Sequence, residues 1–192
     1  MYQIDISNRY INEVSALLEY IILGLLMEGD MSGYDMKKTI DHSVGIFYKA
    51  SYGSLYPALK RLTEKQWVSM TEEPGNSKKK KIYSLMPEGK ENFMVWLAGP
   101  LEMSRNEFLL KIFFFDYLDE DTRTALLEEY EFKLNREIGR LQAVEQIVAG
   151  ELAEIPNPQN YYYRVSALSY GMLFFNMEKQ FVDNIKKGAE LP

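Results

Sequence analysis

SYGSLYPALKRL, residues 51–62, sets a proline inside a run whose Leu55, Leu59 and Leu62 keep helical spacing. A helix leaves its first four N–H groups without internal acceptors, so proline is harmless in the first turn and disruptive beyond it. A start at Tyr52 would put Pro57 in the interior, at a cost of about 3 kcal/mol. A cap at Gly53 or Ser54 keeps Pro57 within the first turn, and the Ser54 hydroxyl then satisfies one free donor. The spacing therefore predicts a helix from about Ser54 to Lys65. Its start offers hydroxyls, uncovered N–H groups and the positive end of the helix dipole, all suited to an anionic partner. Taken alone, Ser-Tyr-Gly-Ser is equally well explained as a plain capped turn.

Upstream, Val14, Leu17, Leu18, Ile21, Ile22, Leu25 and Leu26 mark an amphipathic helix between Glu13 and Glu28, closed by Gly29-Asp30. Ser32-Gly33-Tyr34-Asp35 reads as a capped start, with a short helix to about Asp41 that buries Tyr34, Met36 and Ile40. His42 to Ala50 has little periodicity and is expected to be a turn. Downstream, Trp67 to Thr71 alternates as a strand does, Pro74-Gly75-Asn76-Ser77 is a turn, and Lys78 to Leu85 returns as a second strand. Pro87 opens another helix, with Phe93, Trp96 and Leu97 on one side, ending near Gly99-Pro100. Helix, helix, turn, helix, hairpin is the order of a winged helix-turn-helix, whose third helix enters the major groove while the wing holds the backbone. The lysine run Lys78-Lys79-Lys80-Lys81 lies in that wing. Lysines on long stems suit phosphate contact; the plain alternative is a solvated edge kept from pairing. Beside a capped helix with a polar start, phosphate contact is the better reading.

The charge distribution agrees. The chain of 192 residues carries a net charge of −6, which seen alone disfavours nucleic acid. Yet residues 42–98 hold nine basic and five acidic side chains, while residues 99–192 hold ten basic and sixteen acidic. Phosphate attraction is local at physiological salt, so a basic module on an acidic whole is compatible with DNA. No cysteine is present, which removes disulfides and thiolate metal sites. The only histidine, His42, has no partner arrangement of a catalytic kind, and phosphate loops and zinc spacings are absent. Catalysis, cofactor and metal are accordingly not expected. No apolar run reaches the about 18 residues of a membrane span, and MYQIDISNRYINEV lacks the pattern of a secretory leader. A cytoplasmic protein is expected.

The second half is helical. Leu101 to Leu118 is too apolar for a helix with one exposed face. A long charged helix, about Glu120 to Leu152, carries a narrow seam of Leu126, Leu127, Tyr130, Leu134, Ile138, Leu141, Val144 and Ile147. Ile-Pro-Asn-Pro at 155–158 breaks it, and a last helix runs from about Gln159 to Lys187 with Val165, Leu168, Met172, Phe175, Met177 and Phe181. Three helices with this much apolar surface call for a partner, and twofold pairing is the usual solution. The fold class expected is mainly α with a small β-hairpin. Residues 1–99 form a winged helix-turn-helix and residues 100–192 an α-helical dimerisation and effector region. A winged-helix adaptor that pairs with proteins and reads no DNA is the rival, although it need not keep both a basic wing and a polar helix start.

LLEYIILGLL (17–26), SGYDMKKTI (32–40), SYGSLYPALKRL (51–62) and KKKIYSLMPEGK (79–90) together resemble the PadR family of bacterial transcriptional regulators. NEFLLKIFFFDYL (106–118) and LSYGMLFFNMEKQF (168–181) are similar to the C-terminal helices of its longer subfamily. The resemblance implies a DNA-binding homodimer on a palindromic operator, a repressor in character. It implies DNA contacts from Ser51, Tyr52, Gly53, Ser54, Tyr56 and Lys60, and wing contacts from Ser77, Lys78, Lys79, Lys80 and Lys81. It also implies a small aromatic effector; Tyr163 and Arg164, near the start of the last helix, are the candidates, although ordinary core and dimer interface is the better reading of the methionines and aromatic runs there. Two departures from the family pattern stand out. Gln66 replaces the usual glycine after the recognition helix, which is then expected to end without its stop. Met86 replaces the usual threonine before the fourth helix, with Pro87 supplying part of the missing start signal.

Overall fold

The computed structural model describes residues 16–73 and 80–188. Contacts divide the chain into two compact units, Met1–Asp119 and Glu120–Pro192.

In the first unit, helix α1 covers the described residues 16–26, strand β1 is Met31–Ser32 and α2 is Gly33–His42. A 3-10 turn, Val44–Ile46, leads to α3, Tyr52–Glu64. The wing follows as β2, Val68–Glu72, and β3, Lys81–Leu85, then α4, Pro87–Leu97, and α5, Arg105–Phe113. The sheet is antiparallel with order β1-β3-β2, pairing Met31 with Tyr83 and Glu72 with Lys81. α1 is buried on nearly every side: Leu18, Ile21, Ile22, Leu23, Leu25 and Leu26 are each 4% exposed or less. Gly24 is what allows this, since a Cβ there would fall 2.4 Å from the ring of Phe114. Phe114 in turn meets Phe93 of α4 edge-on at 5.3 Å.

The hydrophobic run at 101–118 forms a shorter helix than its length suggested. α5 ends at Phe113 and a 3-10 turn, Phe115–Tyr117, follows. Its buried Lys111 donates to the carbonyls of Gly99 and Pro100 at 3.0 and 2.9 Å, which fixes the connection from α4. These carbonyls belong to the segment between α4 and α5, and the two bonds satisfy them where no helix or strand partner does.

Three expectations need correction. α3 begins at Tyr52, not Ser54, and Pro57 lies inside it. Tyr34 is 64% exposed, not buried, while Met36 and Ile40 do fill the core. Gln66 does not leave α3 without a stop. It takes the left-handed conformation itself, with φ of 61°. The Trp67 N–H donates to Leu62 O at 3.0 Å and the Gln66 N–H to Thr63 O at 3.1 Å, the hydrogen bonds of a Schellman cap.

In the second unit, α6, Glu120–Glu154, and α7, Tyr162–Lys186, form an antiparallel hairpin joined through a 3-10 turn at Pro158–Tyr161. The expected seam is buried through Ile138, but Ile147 further along is 62% exposed. Glu131 of α6 pairs with Lys179 and Lys186 of α7 at 3.4 and 2.6 Å. Among the described residues no helix is long and apolar enough to cross a membrane.

Candidate nucleic-acid interface

The start of α3 is built from two serines. Ser51, extended at φ −110° and ψ 161°, is the N-cap, and its hydroxyl accepts from the Ser54 N–H at 3.1 Å. The Ser54 hydroxyl accepts in return from the Ser51 N–H at 3.0 Å. This is a reciprocal capping box with serine where glutamate or glutamine is usual. Each serine closes one donor of the pair, and the segment 51–54 stays exposed. The donor that Pro57 lacks would have served the carbonyl of Gly53, a residue on the exposed side of the helix.

Two tyrosines flank this end. Tyr52 and Tyr56 are 45% and 49% exposed, and their rings stack with centroids 6.1 Å apart. Tyr56 lies over the first residue of α2: a Cβ on Gly33 would come within 2.9 Å of its ring. Lys37 of α2 sits 5.7 Å from the Tyr52 ring and is ion-paired with Asp41. The first turns of α2 and α3 thus meet through aromatic surface. Lys60 projects from the outer side of α3, 78% exposed, with Glu64 at 3.7 Å.

The wing is tied to the same corner. Lys80 lies 3.3 Å from Asp35, and Asp35 also accepts from the Ser32 hydroxyl at 2.6 Å. That hydroxyl first, and then Lys80, hold the Asp35 carboxyl below the usual carboxylate range. Lys81 is exposed at the start of β3, opposite Glu72. Ser77, Lys78 and Lys79 lie outside the described residues. Of the sequence-derived candidates, Ser51, Tyr52, Gly53, Ser54, Tyr56 and Lys60 lie on α3 or its N-cap, and Lys80 and Lys81 lie at the start of β3, joined to α3 through α2.

Lys37, Asp35 and Gly33 were not singled out from sequence as parts of this surface. Lys37 with Asp41 at four-residue spacing was the available signal, but it reads equally as an ordinary helix-surface pair.

The effector candidates separate. Arg164 and Glu151 line a cleft of about 260 Å³ between the end of α6 and the start of α7, walled by Val144, Val148, Leu152 and Leu168. The Arg164 guanidinium lies 5.3 Å from the Tyr161 ring. Tyr163 does not line the cleft; it is 86% exposed and packs edge-on to Tyr162. Among the described residues no group of His, Asp or Glu could hold a metal ion.

Three helices, a wing and an exposed, capped third-helix start define a winged helix-turn-helix regulator with a helical tail. Residues 22–94 match the Transcriptional regulator PadR-like family, and residues 104–187 match the Virulence activator alpha C-term family. The chain is 33% identical to the Negative transcriptional regulator PadR of Bacillus subtilis over 138 residues, covering 69% of this chain and 76% of that protein. It is 30% identical over 89 residues to a probable transcriptional regulator of Mycobacterium tuberculosis, covering 46% and 47% of the two chains. The chain belongs to the PadR family of transcriptional regulators. The crystal structure of Bacillus subtilis PadR with operator DNA is 25% identical, covers 88% of this chain and 95% of its own, and gives a TM-score of 0.42. The same protein with p-coumaric acid gives 26%, 88%, 97% and 0.40.

Proposed function

We propose that this PadR-family regulator is a sequence-specific DNA-binding repressor that engages a palindromic operator as a homodimer and is released by a small aromatic effector. The observation that carries the reading is the exposed start of α3, held by the Ser51–Ser54 box beside the stacked Tyr52 and Tyr56. In this reading Ser51, Tyr52, Gly53, Ser54 and Tyr56 meet base edges and adjoining backbone, with Gly53 permitting close approach. Lys60 and the wing residues Ser77, Lys78, Lys79, Lys80 and Lys81 meet phosphates. Residues 1–99 serve as the reading head and residues 100–192 as the pairing and effector region. Repression follows the negative regulation named for the Bacillus subtilis relative. The site of action is the cytoplasm, where the operator lies.

Support for pairing comes from α7, where Tyr170, Leu173 and Met177 are 70%, 71% and 61% exposed in a single chain. So much apolar surface on one helix is rare unless it is covered by a partner. Support for an effector comes from the largely apolar cleft with Arg164 and Glu151 at its wall, a combination that suits a small molecule with a hydrocarbon body and a polar end. The test is selection of duplexes from a random pool by the purified protein, followed by footprinting. A short palindrome protected on both half-sites is the expected result. Recovery of no sequence preference would overturn the reading.

A further inference from the structure

Glu19 is a carboxylate set into an otherwise apolar helix. Its neighbours Leu18, Ile21, Ile22 and Leu23 are buried, and Glu19 itself is only 7% exposed. Both of its oxygens are taken by α3. Oε1 accepts from Arg61 Nε at 2.6 Å, and Oε2 accepts from Lys65 Nζ at 2.7 Å. Lys65 is further held 4.5 Å from the Trp67 ring. α3 carries Lys60 and Arg61, with Lys65 as its C-cap, and two of these three cations turn toward α1. Lys60 alone stands on the outer stripe that also contains Gly53, Pro57 and Glu64.

Ion groups of this kind gain little net stability, because desolvation offsets most of their attraction. Their effect on charge is larger. A cation already bonded to a carboxylate must leave Glu19 before it can neutralise a phosphate and release the counterion condensed there. A free cation, by contrast, tightens binding to every duplex alike, whatever its sequence.

We propose that Glu19 is a specificity-determining residue that withholds Arg61 and Lys65 from DNA phosphates, so that α3 approaches a duplex through its reading end and Lys60. The inference rests on the reading of α3 as the groove helix. Without Glu19, Lys65 would join Lys60, whose pair with Glu64 is exposed and easily screened, as a cation with affinity for any duplex. With it, sequence-blind attraction is left to the wing and Lys60, and the contrast between operator and other DNA is preserved.

The test uses full-length protein, with Kd measured over a salt series on the selected operator and on a scrambled duplex of equal length. Glu19→Gln is expected to tighten binding to the scrambled duplex by about tenfold in dilute salt, and to steepen the log–log salt slope by about 0.9 for each cation released. The operator-to-scrambled ratio falls accordingly. A lower melting temperature with slope and ratio unchanged would mean a purely structural residue and would overturn the proposal. Lys65→Met gives a second reading that does not disturb α1. Its salt slope should match the wild type, whereas a slope shallower by about 0.9 would show Lys65 on a phosphate and overturn the proposal. A wild type that binds neither duplex overturns the groove-helix reading together with this one. That result differs from failure of the Glu19 role alone, in which wild type binds and the variants match it.

Discussion

At Gln66 the chain uses a side-chain-bearing residue where backbone geometry favours glycine. Its φ of 61° crowds Cβ against the carbonyl, a penalty of about 1 kcal/mol for an L-residue. The Schellman hydrogen bonds to Leu62 and Thr63 hold it there nonetheless. Gln66→Gly is therefore expected to stabilise the fold, by about 0.5 kcal/mol after the added freedom of the unfolded chain is subtracted. Thermal melting checks this as a rise of about 2 °C. The opposite sign is expected at the other end of α3. Ser51→Ala removes the cap of the Ser54 N–H and should cost about 1 kcal/mol, read by urea denaturation. The sequence points to a serine cap but to the wrong serine. Reading Pro57 as confined to the first turn favoured Ser54, because the exposure of Gly53 is invisible without coordinates. Exposure of Tyr34 was hidden for a related reason. Its position on α2 fits an apolar face, and only the position of the Tyr56 ring on Gly33 shows how the corner is filled.

Elements were legible in proportion to their length and period. α1, α4, α6 and α7 announce themselves through runs of apolar residues three and four apart, and the wing through alternation around a Pro-Gly-Asn-Ser turn. β1 was missed because two residues, Met31 and Ser32, carry no alternation to detect; their pairing with β3 supplies the third strand. α5 was overextended because an unbroken apolar run shows no face. The α6–α7 hairpin carries a feature that periodicity presents only as a polar residue out of place. Glu178 is 6% exposed, and burial pushes its carboxyl above the usual range, with the Tyr130 hydroxyl pulling the other way. A carboxyl whose folded-state pKa is raised stabilises the fold least when ionised. Stability is greatest below the unfolded-state pKa and declines as pH rises through the folded one. Glu178→Gln should thus melt a few degrees above wild type at pH 7. The two should converge below about pH 4, where the wild-type carboxyl is protonated in both states. A gap that persists at low pH would assign the gain to packing and not to charge.

On the scale of the whole molecule, the acidic total and the basic head act at different distances. In physiological salt the Debye length is about 8 Å, so in the proposed reading the charges that act on a duplex are those next to it, the wing and Lys60. Lys79→Ala with Lys80→Ala should weaken binding to all duplexes alike and flatten the salt slope. The change should be nearer one than two, because Lys80 already shares Asp35 at 3.3 Å. A filter-binding salt series with unchanged affinity would remove the wing from the interface.

Pairing is tested at Leu173, which is 71% exposed on the α7 face that also bears Tyr170 and Met177. A lysine at such a position costs a free chain almost nothing, within about 0.5 kcal/mol. Buried between two copies without a partner charge, it costs several kcal/mol and separates them. Leu173→Lys should therefore keep its helical content while sedimenting at one chain mass, against two for wild type at micromolar concentration. Operator affinity should fall with it by on the order of 100-fold, since the second half-site must then be captured by a separate molecule. Affinity for a single half-site should be unchanged, because the substitution lies outside the head. A wild type that sediments as one chain, or a Leu173→Lys variant that still sediments as two, would remove α7 from the interface and require another face to hold the two heads together.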